Sequence, residues 1–117
     1  IEVFISGPGL EQYYQFLNGE KLPSREIVDL YRTNDREAGV VMNDYFERVA
    51  RSFSTFINIL DPEIIVCGGG MSDIPELYDE IPKRIIPYIA SDVFLTPIVK
   101  ATHGNSSGVR GAAFLWD

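Results

Sequence analysis

The strongest pattern of apolar positions lies between residues 35 and 60. Apolar side chains recur there in steps of three and four for about seven turns, which is typical of one face of a long core helix. Asp35 stands at the expected N-cap, and Asp61-Pro62 ends the pattern. Aromatic stripes at this spacing belong to a core more often than to a dimer interface. The phenylalanines of this stripe are Phe46, Phe53 and Phe56.

Shorter helical patterns surround the long one. They cover residues 1–18 in two pieces interrupted by SGPG at 6–9, residues 24–33, residues 75–86 and a closing segment at 109–116. Two segments predict strands. Residues 63–67, EIIVC, are typical of a parallel strand that is buried on both faces. Residues 93–100 predict a second strand, and Pro97 makes it an edge or irregular strand.

This order of elements predicts an α/β fold with a βαβ crossover and an incomplete sheet of about two parallel strands. A sheet of two strands is marginally stable by itself. We therefore expect chain outside these residues, or another subunit, to complete it.

Composition narrows the class of protein. With 117 residues, 45% hydrophobic and 23% charged, the chain fits one soluble globular domain. The net charge of −7 argues against a nucleic-acid surface, and no apolar run approaches the roughly 20 residues that span a bilayer. The single Cys67 favours a reducing, cytoplasmic setting. Because the first residue is Ile1 and not Met, we expect the gene product to begin earlier.

Three consecutive glycines, Gly68, Gly69 and Gly70, follow the first predicted strand and precede a helix. This is the arrangement of nucleotide sites in open α/β folds, since glycine allows positive φ and a close ligand. GGG matches neither of the common phosphate-binding motifs, so a tight turn without a ligand remains an equal alternative.

A second glycine-rich loop at 101–114 also follows a strand and precedes a helix. Two such loops on one sheet edge favour a ligand more than either does alone. His103 is the only histidine, and a structural role for it is more common than general-base catalysis. The spacing of the acidic residues predicts neither an acid–base pair nor a metal cluster. From the sequence alone, we expect Glu2 to be a solvated charge. The others that read as solvated are Glu11, Glu20, Glu76, Asp79 and Glu80.

Three motifs resemble the carboxyl-terminal half of ROK-family sugar kinases. IEVFISGPGLE resembles the family's IExxxSGxG segment, and NILDPEIIVCGGGMSD resembles its NxxDPxxIVxGGGxS segment. THGNSSGVRGAAFLW is similar to the ending of the fructokinase and N-acetylglucosamine kinase branch. The motifs occur in the family's order over residues 1–117.

The resemblance implies the helix-rich carboxyl-terminal subdomain of an actin-like, ribonuclease-H-like kinase. It implies ATP-dependent phosphorylation of a hexose hydroxyl, with Mg²⁺, by a homodimer. With the charge and the apolar pattern described above, we expect sugar and ATP as partners, and neither nucleic acid nor a membrane. The family's catalytic Asp, its phosphate loop and the ligands of its structural Zn²⁺ lie in earlier segments. We therefore expect no catalytic residue in this chain and no activity from the chain alone.

The resemblance also assigns residues. Glu2 matches a glutamate that hydrogen-bonds sugar hydroxyls. Gly68, Gly69, Gly70 and Met71 would line the adenine and ribose side of the ATP cleft. The residues that would border the same cleft are Gly104, Ser107 and Gly108.

The form SSGVRGAAFLW favours fructose as the acceptor, with N-acetylglucosamine or glucose as alternatives. A sugar-responsive repressor of the same family is the alternative of another class. A repressor would carry a helix-turn-helix upstream, and the retained GGG weighs against it because a repressor needs no ATP cleft.

Overall fold

The structure, a computed structural model, describes residues 1–90 and 94–101 and the backbone of residues 113–115. Within these residues, four parallel strands form one sheet in the order β3-β2-β1-β4. The strands are β1 (Glu2–Ile5), β2 (Ile65–Gly68), β3 (Ile98–Lys100) and β4 (Ala113–Leu115). The helices are α1 (Pro8–Asn18), α2 (Ser24–Arg32), α3 (Arg36–Leu60) and α4 (Pro75–Ile85), with short 3₁₀ helices at Gly70–Asp73 and Ile86–Tyr88.

The helix predicted for the first five residues is wrong, because Glu2–Ile5 is strand β1. Buried Val3 and Ile5 alternate with half-buried Glu2 and Phe4, which is the two-residue period of a strand. So few residues do not separate this period from a helical one. The partner strand β2 follows only after three helices, so the local sequence does not reveal the pairing.

The sheet is larger than the two strands predicted. β1 pairs with β2 on one side and with β4 on the other, and β3 extends the sheet beyond β2. The closing helix predicted for 109–116 is therefore wrong at 113–115. Pairing with β4 satisfies backbone groups that would otherwise line an open edge of β1.

The long helix predicted from the apolar stripe is confirmed as α3. The Asp35 carboxylate accepts a hydrogen bond from the Ala38 N–H at 3.0 Å, which caps its first turn. Phe46 and Phe53 are fully buried, as a core stripe predicts. Among the described residues, no helix combines the length and apolarity needed to cross a membrane.

The two faces of the sheet differ. One face packs with all four helices into a single core, and its members on β1 and β2 are Val3, Ile5, Ile65 and Cys67. On the opposite face, Glu2, Phe4 and Val66 are only half-buried. The strand predicted to be buried on both faces is thus fully buried on one face within this chain.

Candidate functional site

The glycine-rich loop lies at the carboxyl edge of the sheet. Because β1, β2 and β3 are parallel, the segment after Ile5, the glycines after Cys67 and the end of β3 at Lys100 meet at this edge. Gly68 is the last residue of β2 and pairs with Phe4. The loop then continues into the 3₁₀ helix and directly into α4.

Gly69 fits tightly against β1. Its φ is +94° and its ψ is 176°, a backbone conformation that is essentially restricted to glycine. A Cβ at this position would lie 2.5 Å from the Ile5 carbonyl oxygen. The second glycine of the run is therefore required by the packing of the sheet itself.

The 3₁₀ helix after Gly69 is braced from both sides. The Ser72 hydroxyl donates to the Gly69 carbonyl at 2.7 Å, and the Tyr78 hydroxyl donates to the Ser72 carbonyl at 2.5 Å. Burial, followed by the nearby Asp73 carboxylate, raises the pKa of Tyr78 well above its usual value. Tyr78 thus remains a neutral donor to the Ser72 carbonyl at neutral pH.

A cavity of about 260 Å³ lies between α2 and this loop. Its buried apolar members are Val28, Met71 and Ile74. Gly70 completes the loop side, and a Cβ there would meet nothing within 4 Å. The polar residues of the lining are Ser24, Arg25, Asp29, Arg32 and Asp73. A lining of both apolar and polar residues suits a ligand that carries both kinds of surface.

Ion pairs flank the cavity. Arg32 binds Glu76 through two hydrogen bonds, Nε to Oε2 at 2.6 Å and Nη2 to Oε1 at 3.0 Å. The hydrogen bond from Arg32 lowers the pKa of Glu76. On the other side of the loop, the Lys100 ammonium lies 2.6 Å from an Asp73 carboxylate oxygen, and both side chains are more than half exposed.

The α2 side of the cavity was not predicted from the sequence. Glu11, which read as a solvated charge, is half-buried and accepts hydrogen bonds from the Ser24 backbone N–H and hydroxyl, both at 2.8 Å. Ser24 thereby joins the start of α2 to α1. No local pattern marks this link, because the two residues belong to different helices and meet only in the folded chain.

Glu2 lies away from the loop. It occupies the amino end of β1 beside Val66, whereas the glycines follow the carboxyl end of β2. Its half-buried side chain belongs to the face of the sheet opposite Val3 and Ile5. Among the described residues, no Lys or Arg forms an ion pair with its carboxylate. The structure therefore does not join Glu2 to the cavity that Gly70 and Met71 line.

Several predicted site residues fall elsewhere. His103, Gly104, Ser107 and Gly108 lie outside the described residues. Within the described part of the chain, no group of His, Cys, Asp and Glu could hold a metal ion. Cys67 is fully buried, and burial raises the pKa of its thiol to about 12.

Comparison with known proteins identifies a family. The family model described as ROK family matches residues 1–117. The chain is 40% identical over 116 residues to an N-acetyl-D-glucosamine kinase of Haemophilus influenzae. It is 41% identical over 115 residues to another of Photobacterium profundum. These alignments cover 99% and 98% of this chain but only 38% of each relative.

The fold also matches a solved structure. The chain superimposes on the ROK hexokinase of Thermus thermophilus with a TM-score of 0.74 and 21% identity. The match covers 84% of this chain and 33% of that one. The predicted fold class, a helix-rich α/β part of an actin-like fold, is confirmed.

Proposed function

Because this chain belongs to the ROK family, we propose that it forms the carboxyl-terminal subdomain, residues 1–117, of a longer sugar kinase. That enzyme would transfer the γ-phosphoryl group of ATP to a hexose hydroxyl. The observation that supports this most directly is the cavity between α2 and the glycine-rich loop, at the carboxyl edge of a parallel sheet.

We assign the base of the nucleotide to this cavity. Val28, Met71 and Ile74 offer an apolar floor, and bare Gly70 lets a flat ring approach the backbone. The volume of about 260 Å³ suits one ring system rather than a whole nucleotide, since sites for drug-sized ligands begin near 300 Å³. The ribose and phosphates would then extend out of the cavity.

Phosphoryl transfer also needs charge neutralisation and a base on the acceptor hydroxyl. Mg²⁺ supplies the first when it is bound to the phosphates of ATP. No metal-holding group exists among the described residues, so we assign Mg²⁺ and the structural Zn²⁺ of the family no ligand here. This chain would bind and orient the nucleotide, while the base would come from the preceding segment.

We propose that Glu2 binds the sugar. A carboxylate accepts hydrogen bonds from hydroxyl groups strongly, and no Lys or Arg of the described residues occupies this one. Its position at the far end of β1 separates it from the proposed base site.

N-acetylglucosamine is the acceptor that we favour. Relatives 40% and 41% identical to this chain are named as N-acetyl-D-glucosamine kinases, and fructose, expected first, has no support among them. The test compares kcat/KM of the full-length protein for N-acetylglucosamine, glucose and fructose with ATP. Highest efficiency with fructose would contradict the acceptor, and no sugar-dependent ADP release would contradict the kinase.

Two further predictions accompany this proposal. The 117-residue chain alone should release no ADP in the presence of sugar. The homodimer stays a prediction from the family, and sedimentation of the full-length protein would test it. The cytoplasmic setting stays a prediction from the single Cys67.

A further inference from the structure

We propose that Arg32 is a positioning residue for the nucleotide, which fixes the α2 wall of the cavity against the glycine-rich loop through Glu76. This inference rests on the proposed function of the cavity. It concerns how the site keeps its width rather than which atoms touch the ligand.

The argument begins with the way α2 spans the cavity. Ser24, Val28 and Arg32, at its first turn, middle and last turn, all line the cavity. Hydrogen bonds to Glu11 hold the first turn, and the two hydrogen bonds from Arg32 to Glu76 hold the last. The helix is thus fastened at both ends, with the cavity between the fastenings.

Glu76 ties this wall to the opposite one. It is the second residue of α4, and α4 follows directly on the loop segment that contains Gly70 and Met71. The pair therefore joins the last turn of α2 to the helix that follows the loop. Glu76 itself does not line the cavity.

The geometry of the pair is specific, but its contribution to folding is small. Two parallel N–H···O bonds define orientation as well as distance, which lysine cannot reproduce. The Arg32 side chain is 45% exposed, and ion pairs with such exposure contribute little to global stability. Asp29 forms only a longer ion pair with Arg32 within α2, with 3.7 Å between Oδ1 and Nη1. Loss of the pair should therefore affect the cavity more than the fold.

The test uses Arg32→Lys and Glu76→Gln in the full-length protein, with ATP as the probe. We expect each variant to raise the Kd and KM for ATP about threefold to tenfold, with the KM for sugar and the unfolding temperature unchanged. The exchange Arg32→Glu with Glu76→Arg should recover part of the loss. Arg48→Lys is the matched control, since it makes the same exchange in an exposed ion pair with Asp44, 2.8 Å long, outside this cavity.

The outcomes separate the two proposals. If the unchanged protein does not bind ATP, the proposed function fails. If it binds ATP and neither variant weakens that binding, only the positioning role is overturned. An effect of Arg32→Lys without an effect of Glu76→Gln also overturns it, because Arg32 would then act by direct contact. Equal losses for ATP and sugar, or a loss with Arg48→Lys, would indicate a general structural effect and overturn it as well.

Discussion

Gly69 and Gly70 are neighbours in one loop, but their surroundings are opposite. Gly69 faces the sheet, where a Cβ would lie 2.5 Å from the Ile5 carbonyl oxygen. Gly70 faces the cavity beside α2, where a Cβ would meet nothing within 4 Å. The fold requires the first glycine, whereas only a ligand would require the second.

The comparison shows that a run of glycines serves more than one purpose. The sequence presents a tight turn and a ligand site as alternatives, whereas here the tight turn lies at Gly69 and the proposed ligand site lies beside Gly70. A larger side chain at Gly69 therefore tests whether the fold requires glycine, and a larger side chain at Gly70 tests whether a ligand binds beside the loop.

The largest effect should come from Gly69→Ala. The positive φ and the contact with a backbone oxygen should together lower the free energy of unfolding by about 3 kcal/mol or more. Urea unfolding measures the loss. Gly68→Ala is the control, since its Cβ would meet nothing within 4 Å, and it should change stability by less than about 0.5 kcal/mol. Equal stability of the two variants would show that the approach to Ile5 is not tight.

Cys67 offers a local readout of the same change. Its burial keeps the thiol protonated, and the thiolate is the form that reacts with alkylating reagents. The folded protein should therefore react slowly with iodoacetamide, and Gly69→Ala should react faster because β2 opens more often. Identical reaction rates in the unchanged protein and in Gly69→Ala would show that the substitution does not destabilise β2.

Gly70→Val should leave the fold intact and weaken the binding of ATP. We expect the Kd for ATP in the full-length protein to rise about thirtyfold, which corresponds to about 2 kcal/mol, as branched methyl groups fill the space beside the loop. Calorimetric titration measures the affinity, and urea unfolding should show less than about 0.5 kcal/mol of change. Unchanged ATP affinity in this variant would contradict the ligand site and favour the alternative that the three glycines form only a tight turn.

Glu2→Gln extends the comparison to the other end of the strands. The amide keeps the shape of the side chain but loses the charge, which should raise the KM for sugar about tenfold. The Kd for ATP should not change, because Glu2 does not line the cavity beside α2. A parallel loss of ATP affinity would mean that the two sites are not separate.

The smallest effect should appear in the pH dependence of stability. The hydrogen bond from Arg32 lowers the pKa of Glu76, so ionised Glu76 stabilises the folded state at pH values above the unfolded pKa near 4.3. This stabilisation is lost as the pH falls through the lower, folded pKa. Comparing acid unfolding of the unchanged protein and Glu76→Gln should show a slightly smaller pH dependence in the variant. Identical curves would show that the pair contributes nothing.

The sequence predicts those elements of the fold that depend on patterns among neighbouring residues. The apolar spacing of α3, its Asp35 cap and the glycines after an apolar strand all follow from neighbouring residues. β1 could not be predicted in this way, because its strand character depends on pairing with β2 beyond α3.

Only one side of the cavity could be predicted from the sequence. GGG indicates its loop side, but the α2 side depends on where Ser24 and Arg32 come to lie in the folded chain. The different surroundings of Gly69 and Gly70 depend on the distance to Ile5, which no pattern in the sequence encodes.

The parallel pairing of β1 and β2 has a consequence for how the chain folds. The Val66 N–H donates to the Ile1 carbonyl at 2.8 Å, although three helices separate the two residues in sequence. Closing so long a loop loses entropy before any contact compensates, so we expect the helices to collapse first and the sheet to assemble late. Because the position of Gly69 depends on its approach to β1, the loop side of the proposed nucleotide site should be among the last parts to form. ATP present during synthesis would therefore stabilise the finished sheet without guiding its assembly.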